Sequence, residues 1–138
     1  MTPWKNETGV DFEENLADYL GFIYEIELDD GMLYVGRKQF WRKRGTAWVE
    51  DTGWREYTSS SNTIKKHVER IVRRSIICVL SSKSAIRYAE AAGIILSQTY
   101  LKRDRGYNWS FDGCKGTLKL NETDVTQIGR LYERWTKD

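Results

Sequence analysis

The stretch "FIYEIELDDGMLYVGRK", residues 22 to 38, admits few structures. Two seven-residue runs rich in β-branched and aromatic residues flank Asp29, Asp30 and Gly31, which suit a tight hairpin turn. Strands joined this closely must be antiparallel, because parallel neighbours need a crossover of a dozen residues or more. With a three-residue loop, Leu28 faces Met32, Ile26 faces Tyr34, and Tyr24 faces Gly36. Period-two alternation then sets Tyr24 and Tyr34 diagonally on one face of the sheet. Gly36 opposite Tyr24 leaves a space beside the phenol where a ligand could approach. A two-residue loop would instead send the tyrosines to opposite faces. Two aromatic strand residues filling a core would also account for them without any ligand.

The rest of the chain supplies helices and one more strand. "VDFEENLADYL" (10 to 20) carries Phe12, Leu16, Tyr19 and Leu20 at helical spacing. Residues 45 to 60 read as a long irregular loop. Ser61 or Asn62 caps a helix running to residue 73, with Ile64, Val68, Ile71 and Val72 as its apolar stripe. "SIICVL" (75 to 80) is a third strand, and residues 81 to 101 form the longest helix. A last amphipathic helix runs from Asn121 or Thr123 to Trp135 and carries Val125, Ile128, Leu131, Tyr132 and Trp135. The expectation is a single α+β domain over 1–138, with a small antiparallel sheet of about three strands flanked by helices. Within it, residues 1–20 are a helical N-terminal extension, 21–110 the core, and 111–138 a helical C-terminal extension.

Charge separates along the chain. Residues 1 to 30 carry one lysine against nine acids, whereas residues 37 to 74 carry eleven Lys and Arg against four acids. Five of the eight residues from Arg37 to Arg44 are cationic. Such concentration marks a footprint for a polyanion, although charge runs are also common on solvated faces. No apolar run approaches the 18 residues of a membrane span, and the acidic start is unlike a signal peptide, so a cytoplasmic protein is expected. Cys78 and Cys114 could pair, but Cys78 sits in the apolar strand "SIICVL" and is read as a reduced core cysteine.

The triplets "FIY" (22 to 24) and "YVG" (34 to 36), with tyrosines ten residues apart, resemble the two signature triplets of the GIY-YIG endonuclease superfamily. The first departs from that pattern: Gly21 comes one residue early and Phe22 stands in the glycine's usual place. The family's later landmarks have counterparts in the same order. Arg44 lies eight residues after Gly36, and Tyr57 thirteen after Arg44. Glu90 lies on the long helix, and Asn108 in the "GYN" turn at 106 to 108. "W-x-x-Y-x-S-S", from Trp54 to Ser60, is similar to stand-alone phage-encoded members. The resemblance covers roughly residues 20 to 110.

The resemblance implies a DNA endonuclease, phage-encoded and acting inside a bacterial host, that hydrolyses phosphodiester bonds with one divalent metal, Mg²⁺ or Mn²⁺. Tyr24 is then the general base, Tyr34 supports the water or phosphate, Arg44 stabilises the transition state and Glu90 holds the metal. Tyr57 and Asn108 complete the set. The chemistry fits these residue types. A guanidinium forks onto two phosphate oxygens, and a carboxylate suits a hard cation. A tyrosine with a free pKa near 10 must be brought down by neighbouring cations such as Arg37, Lys38 or Arg44 to act as a base. The chain has no DxD and no His/Cys ligand set, which speaks against a two-metal or zinc site.

Each assignment has a plainer counterpart. Glu90, between Ile86 and Ile94, could pair with Arg87. Only the family's count selects Arg44 over Arg42 and Lys43. Tyr57 could be packing, and Asn108 could cap a turn. His67 reads as solvated or phosphate-facing. Arg37, Lys38, Arg42, Lys43, Lys65, Lys66, Arg70, Arg73 and Arg74 are expected phosphate contacts on double-stranded DNA. Trp41, Trp48 and Trp54 either stack on bases or pack. Sequence recognition falls to residues 45 to 60, the C-terminal helix, or a homodimer. A DNA-binding module of the same fold without turnover, and a phage protein that binds a host protein, remain the alternatives.

Overall fold

The DDG turn closes the hairpin in its three-residue form. In the computed structural model, which describes residues 2–59, 61–97, 99 and 120–136, the Leu28 amide donates to the Met32 carbonyl at 2.9 Å, and the Gly31 amide donates to Leu28 at 2.9 Å. Gly31 adopts φ +84°, open to glycine at little cost. Tyr24 faces Gly36 and Ile26 faces Tyr34, so the two tyrosines share a face as the register argument requires.

The α+β class is borne out, with a larger and mixed sheet. Its order is β1 (Trp4–Asn6), β6 (Ile71–Leu80), β2 (Gly21–Leu28) and β3 (Leu33–Gln39). β2 pairs antiparallel with both β3 and β6, whereas β1 runs parallel to β6. A second, two-stranded sheet is formed by β4 (Trp41–Arg44) and β5 (Ala47–Glu50). The described α-helices are α1 (Asn62–Lys66), α2 (Lys83–Ser97) and α3 (Glu122–Thr136), with short 3-10 helices at Leu16–Asp18, Thr52–Glu56 and Val68–Arg70.

Three segments differ from expectation. Residues 10 to 20 form turns and a short 3-10 segment, Leu16–Asp18, instead of an α-helix. Phe12 and Leu16 are still buried, while Leu20 is already drawn out by hydrogen bonds with Leu80 and Phe40. The helix begun at Ser61, whose hydroxyl accepts from the Ile64 amide, ends at Lys66 rather than 73. Ile71 instead opens the ten-residue β6, leaving Val72 exposed. The loop at 45 to 60 is in its first part a hairpin, turned at Gly45 with φ +63°.

The sheet buries both faces. Phe22, Tyr24, Ile26 and Leu28 pack with Phe12, Phe40 and Trp54 on one side. Ile23, Val35 and Ile77 pack with Ala85, Ile86, Ala89, Ile128 and Leu131 of α2 and α3 on the other. Val125 and Tyr132, expected on the apolar stripe of α3, point outward. α3 is tied to the sheet through Glu25, which is 2% exposed. That carboxylate accepts from Arg73 at 2.8 Å, Arg134 at 2.7 Å and Trp135 Nε1 at 3.2 Å. Cys78 is a buried free thiol, and burial pushes its pKa up; Cys114 lies outside the described residues. Among the described residues no helix is long and apolar enough to cross a membrane.

Candidate active site

Three of the singled-out tyrosines meet on the face away from α2. The Tyr24 ring centroid lies 6.1 Å from that of Tyr34 and 6.0 Å from that of Tyr57, the latter edge-on. Trp4 of β1 closes over Tyr24 at 5.6 Å. The register of β2 against β6 shifts between Ile23 and Tyr24, an irregularity of the kind that re-aims a side chain.

The space over Gly36 is not open to a ligand as expected, because the Tyr24 phenol fills it. A Cβ on residue 36 would lie 2.4 Å from Tyr24 Oη and Cζ. Gly36→Ala is therefore expected to displace the ring and cost about 1–3 kcal/mol in urea unfolding; an unchanged stability would mean that the ring has room to move.

Tyr24 itself is fully buried. Its hydroxyl has no hydrogen bond of regular geometry, with Ser59 and Tyr57 beside it. Burial, reinforced by Tyr34 and Tyr57, pushes its pKa well above the ordinary value. A general base needs the opposite shift. The cations expected to provide it are engaged elsewhere: Lys38 donates to Asp51 at 3.0 Å with its Nζ 4.9 Å from the Tyr57 ring centroid, and Arg37 bonds to Glu90. The Lys38 hydrogen bond in turn holds the Asp51 carboxyl below its ordinary pKa. Tyr34 and Tyr57 are partly exposed, so a substrate can reach them where it cannot reach Tyr24.

Glu90 reaches the same strand from the other side. Helix α2 turns Ile86 and Ile94 into the core, and Glu90 between them keeps its side chain 15% exposed. Its Oε1 accepts from Arg37 Nη1 at 3.1 Å, a partner across 53 residues. β3 is the edge strand, so Tyr34 on one face and Arg37 on the other both sit at the rim of the sheet.

Along that rim runs a cleft of about 740 Å³. Arg37, Lys38, Arg42, Lys43, Lys83 and Arg87 line it, with Asp51 the one acid and Trp41 and Trp48 as aromatic walls. Lys83 was missed in the sequence reading and Arg87 figured only as a partner for Glu90. Both lie on α2 at i, i+4, next to Glu90 at i+7, a spacing that could have revealed them.

The family described as "Putative endonuclease segE, GIY-YIG domain" matches residues 4–109. The chain belongs to the GIY-YIG family. Its match begins at β1 and runs past α2, taking in both tyrosine strands and Glu90. Among curated proteins it is similar to "Intron-associated endonuclease 2" of Enterobacteria phage T4, 29% identical over 102 residues that cover 72% of this chain and 36% of that relative. The chain thus spans about a third of that relative's length. No solved structure matches it.

Other positions singled out in the sequence are scattered. Arg44 is exposed in β4, facing Ala47 at the hairpin end, and does not line the cleft. Lys65 and Lys66 are exposed on α1, and His67 follows as its C-cap. Arg70 is held by Asp29 and Asp30 of the first turn at 2.9 and 2.8 Å, and Arg73 by Glu25 and Glu27. Arg74 is no surface cation: it is 2% exposed, donates to the carbonyls of Thr2, Arg55 and Tyr57, and lies 4.0 Å from the Trp4 ring centroid. Its charge satisfies buried backbone acceptors and cannot reach a phosphate. Trp54 is core, and Trp41 donates to the Leu16 and Tyr19 carbonyls. Asn108 lies outside the described residues.

Proposed function

We propose that this GIY-YIG chain is a DNA endonuclease that hydrolyses phosphodiester bonds at the rim of β3, with duplex DNA as its substrate. The observation that carries the reading is the Glu90–Arg37 pair at 3.1 Å, whose Arg37 lines a cleft with five further cations. A phosphate entering it meets Arg37, whose guanidinium can fork onto two oxygens and stabilise the charge that builds up on them.

Glu90 fits a divalent ion of the Mg²⁺ or Mn²⁺ kind. Such hard ions accept one carboxylate with water filling the other positions, and since the described residues contain no group of three or more His, Cys, Asp or Glu that could hold a metal ion, Glu90 would bind it as a single carboxylate. An ion held by Glu90 supplies Lewis-acid stabilisation of phosphate oxygen. From the other face of the same strand, Tyr34 would orient the attacking water by a hydrogen bond at Oη, the water's proton leaving to solvent and the departing alkoxide taking one from it. Tyr24, fully buried against Gly36, positions Tyr34 and Tyr57 rather than acting as the base. This reading gives the transition-state charge to Arg37 in place of Arg44.

Plasmid nicking tests it. Wild-type protein is expected to nick supercoiled DNA with Mg²⁺ or Mn²⁺ and to stop on chelation. Arg37→Ala should lose about a hundredfold or more in rate, and Arg44→Ala less than about tenfold. Absence of metal-dependent nicking by the wild type refutes endonuclease action. A larger loss in Arg44→Ala than in Arg37→Ala returns the charge-stabilising role to Arg44.

A further inference from the structure

We propose that the β4–β5 hairpin and the first two turns of α2 hold an unpaired DNA strand adjoining the cleavage position, with Trp48 as its stacking surface. The proposal rests on the endonuclease reading above and adds to it the form of DNA recognised beside the cut.

Trp48 is unlike the other tryptophans of the cleft and core. Trp54 is 1% exposed and Trp41 spends its indole N–H on two backbone carbonyls, whereas Trp48 is 46% exposed and belongs to no core cluster. A singly exposed aromatic is common on protein surfaces; what sets Trp48 apart is that its indole stands in the cationic cleft. The hairpin register sets it directly across from Lys43, whose Nζ lies 5.3 Å from the indole centroid. Both side chains line the cleft, and Lys83 and Arg87 of α2 line it too.

Cations that track a backbone, combined with an aromatic face on which a base can lie, are the recurring arrangement for single strands; bases in an intact duplex present no free face. The cleft's volume of about 740 Å³ falls within the roughly 300–1,000 Å³ of sites for ligands of nucleotide scale. A duplex can bring a phosphate to Arg37, but a base that lies on the Trp48 indole must be unpaired.

The test uses labelled oligonucleotides in chelator, so that cleavage plays no part. A blunt duplex and the same duplex with an unpaired flap are compared by fluorescence anisotropy with the full chain. The flapped DNA is expected to bind about tenfold more tightly, the gain of one base–aromatic stack. Trp48→Ala should erase that preference and leave blunt-duplex affinity unchanged, and Trp48→Phe should retain most of it. Steady-state quenching of tryptophan emission by the flap, absent in Trp48→Phe, is the second readout. Equal affinity for both DNAs in the wild type, or an equal loss on both in Trp48→Ala, overturns the proposal. Nicking of plasmid DNA is scored separately, so the endonuclease reading can stand while this one falls, and the reverse.

Discussion

Glu90→Ala is expected to lower the rate of metal-dependent DNA cleavage by about a hundredfold or more while leaving DNA binding intact. The carboxylate is paired with Arg37 at 3.1 Å, while Asp51, the acid that lines the cleft, is held by Lys38. Its loss removes a negative charge from a cationic surface, and affinity for DNA in chelator should stay the same or rise. Folding should change little, because Arg37 is about one-third exposed and can turn to water, and such pairs are worth about 0–1 kcal/mol. Single-turnover cleavage, anisotropy in chelator and urea unfolding separate the three quantities. A variant that cleaves within tenfold of wild type at saturating Mg²⁺ removes Glu90 from the active site. One that fails equally in binding makes its role structural.

Glu25→Ala should do the reverse, lowering stability by about 3–5 kcal/mol with no direct effect on chemistry. Glu25 is 2% exposed and takes hydrogen bonds from Arg73, Arg134 and Trp135, which come from β6 and from two positions at the end of α3. Removing it leaves Arg134, itself bonded also to Glu7, with one carboxylate in place of two. Glu25→Gln should recover part of the loss, since an amide oxygen still accepts. Urea unfolding gives the number, and hydrogen exchange of α3 amides locates it. A change below about 1 kcal/mol would show that the helix is held by its other contacts, Ile128 and Leu131 in the core and the hydrogen bonds of Asp124, Gln127 and Arg130.

What was legible in the sequence was local. The first hairpin could be read to the residue because DDG specifies a loop length, and loop length specifies register. Glu90 was picked out by the order of the family's landmarks, and its apolar neighbours Ile86 and Ile94 on the helix agreed with that choice. The errors came where apolar spacing fits two structures. Val68, Ile71 and Val72 continue the stripe begun by Ile64, yet Ile71 also opens the apolar run of β6, and pairing with β2 wins. β1 has only the residues Trp4, Lys5 and Asn6, too few for any period, and is made a strand by β6 alone. The second hairpin hid behind its charge: Arg42, Lys43 and Arg44 show no alternation, and Gly45 was the sole sign of a turn. Nothing in the string distinguishes buried Arg74 from exposed Lys65, because the carbonyls that hold it come from two distant segments, Thr2 and the stretch from Arg55 to Tyr57.

The pairing of β1 with β6 joins residues seventy positions apart, Trp4 with Arg74. Contacts of that span form late, since the loop must be closed before they repay its entropy. The tyrosine hairpin can assemble from neighbours in microseconds, but Trp4, which covers Tyr24, arrives only when β6 has been made and docked. On a ribosome this separates in time the two halves of one aromatic cluster. A nascent chain holds its tyrosines before it holds them still, because the cover over Tyr24 is completed only once β6 has been made.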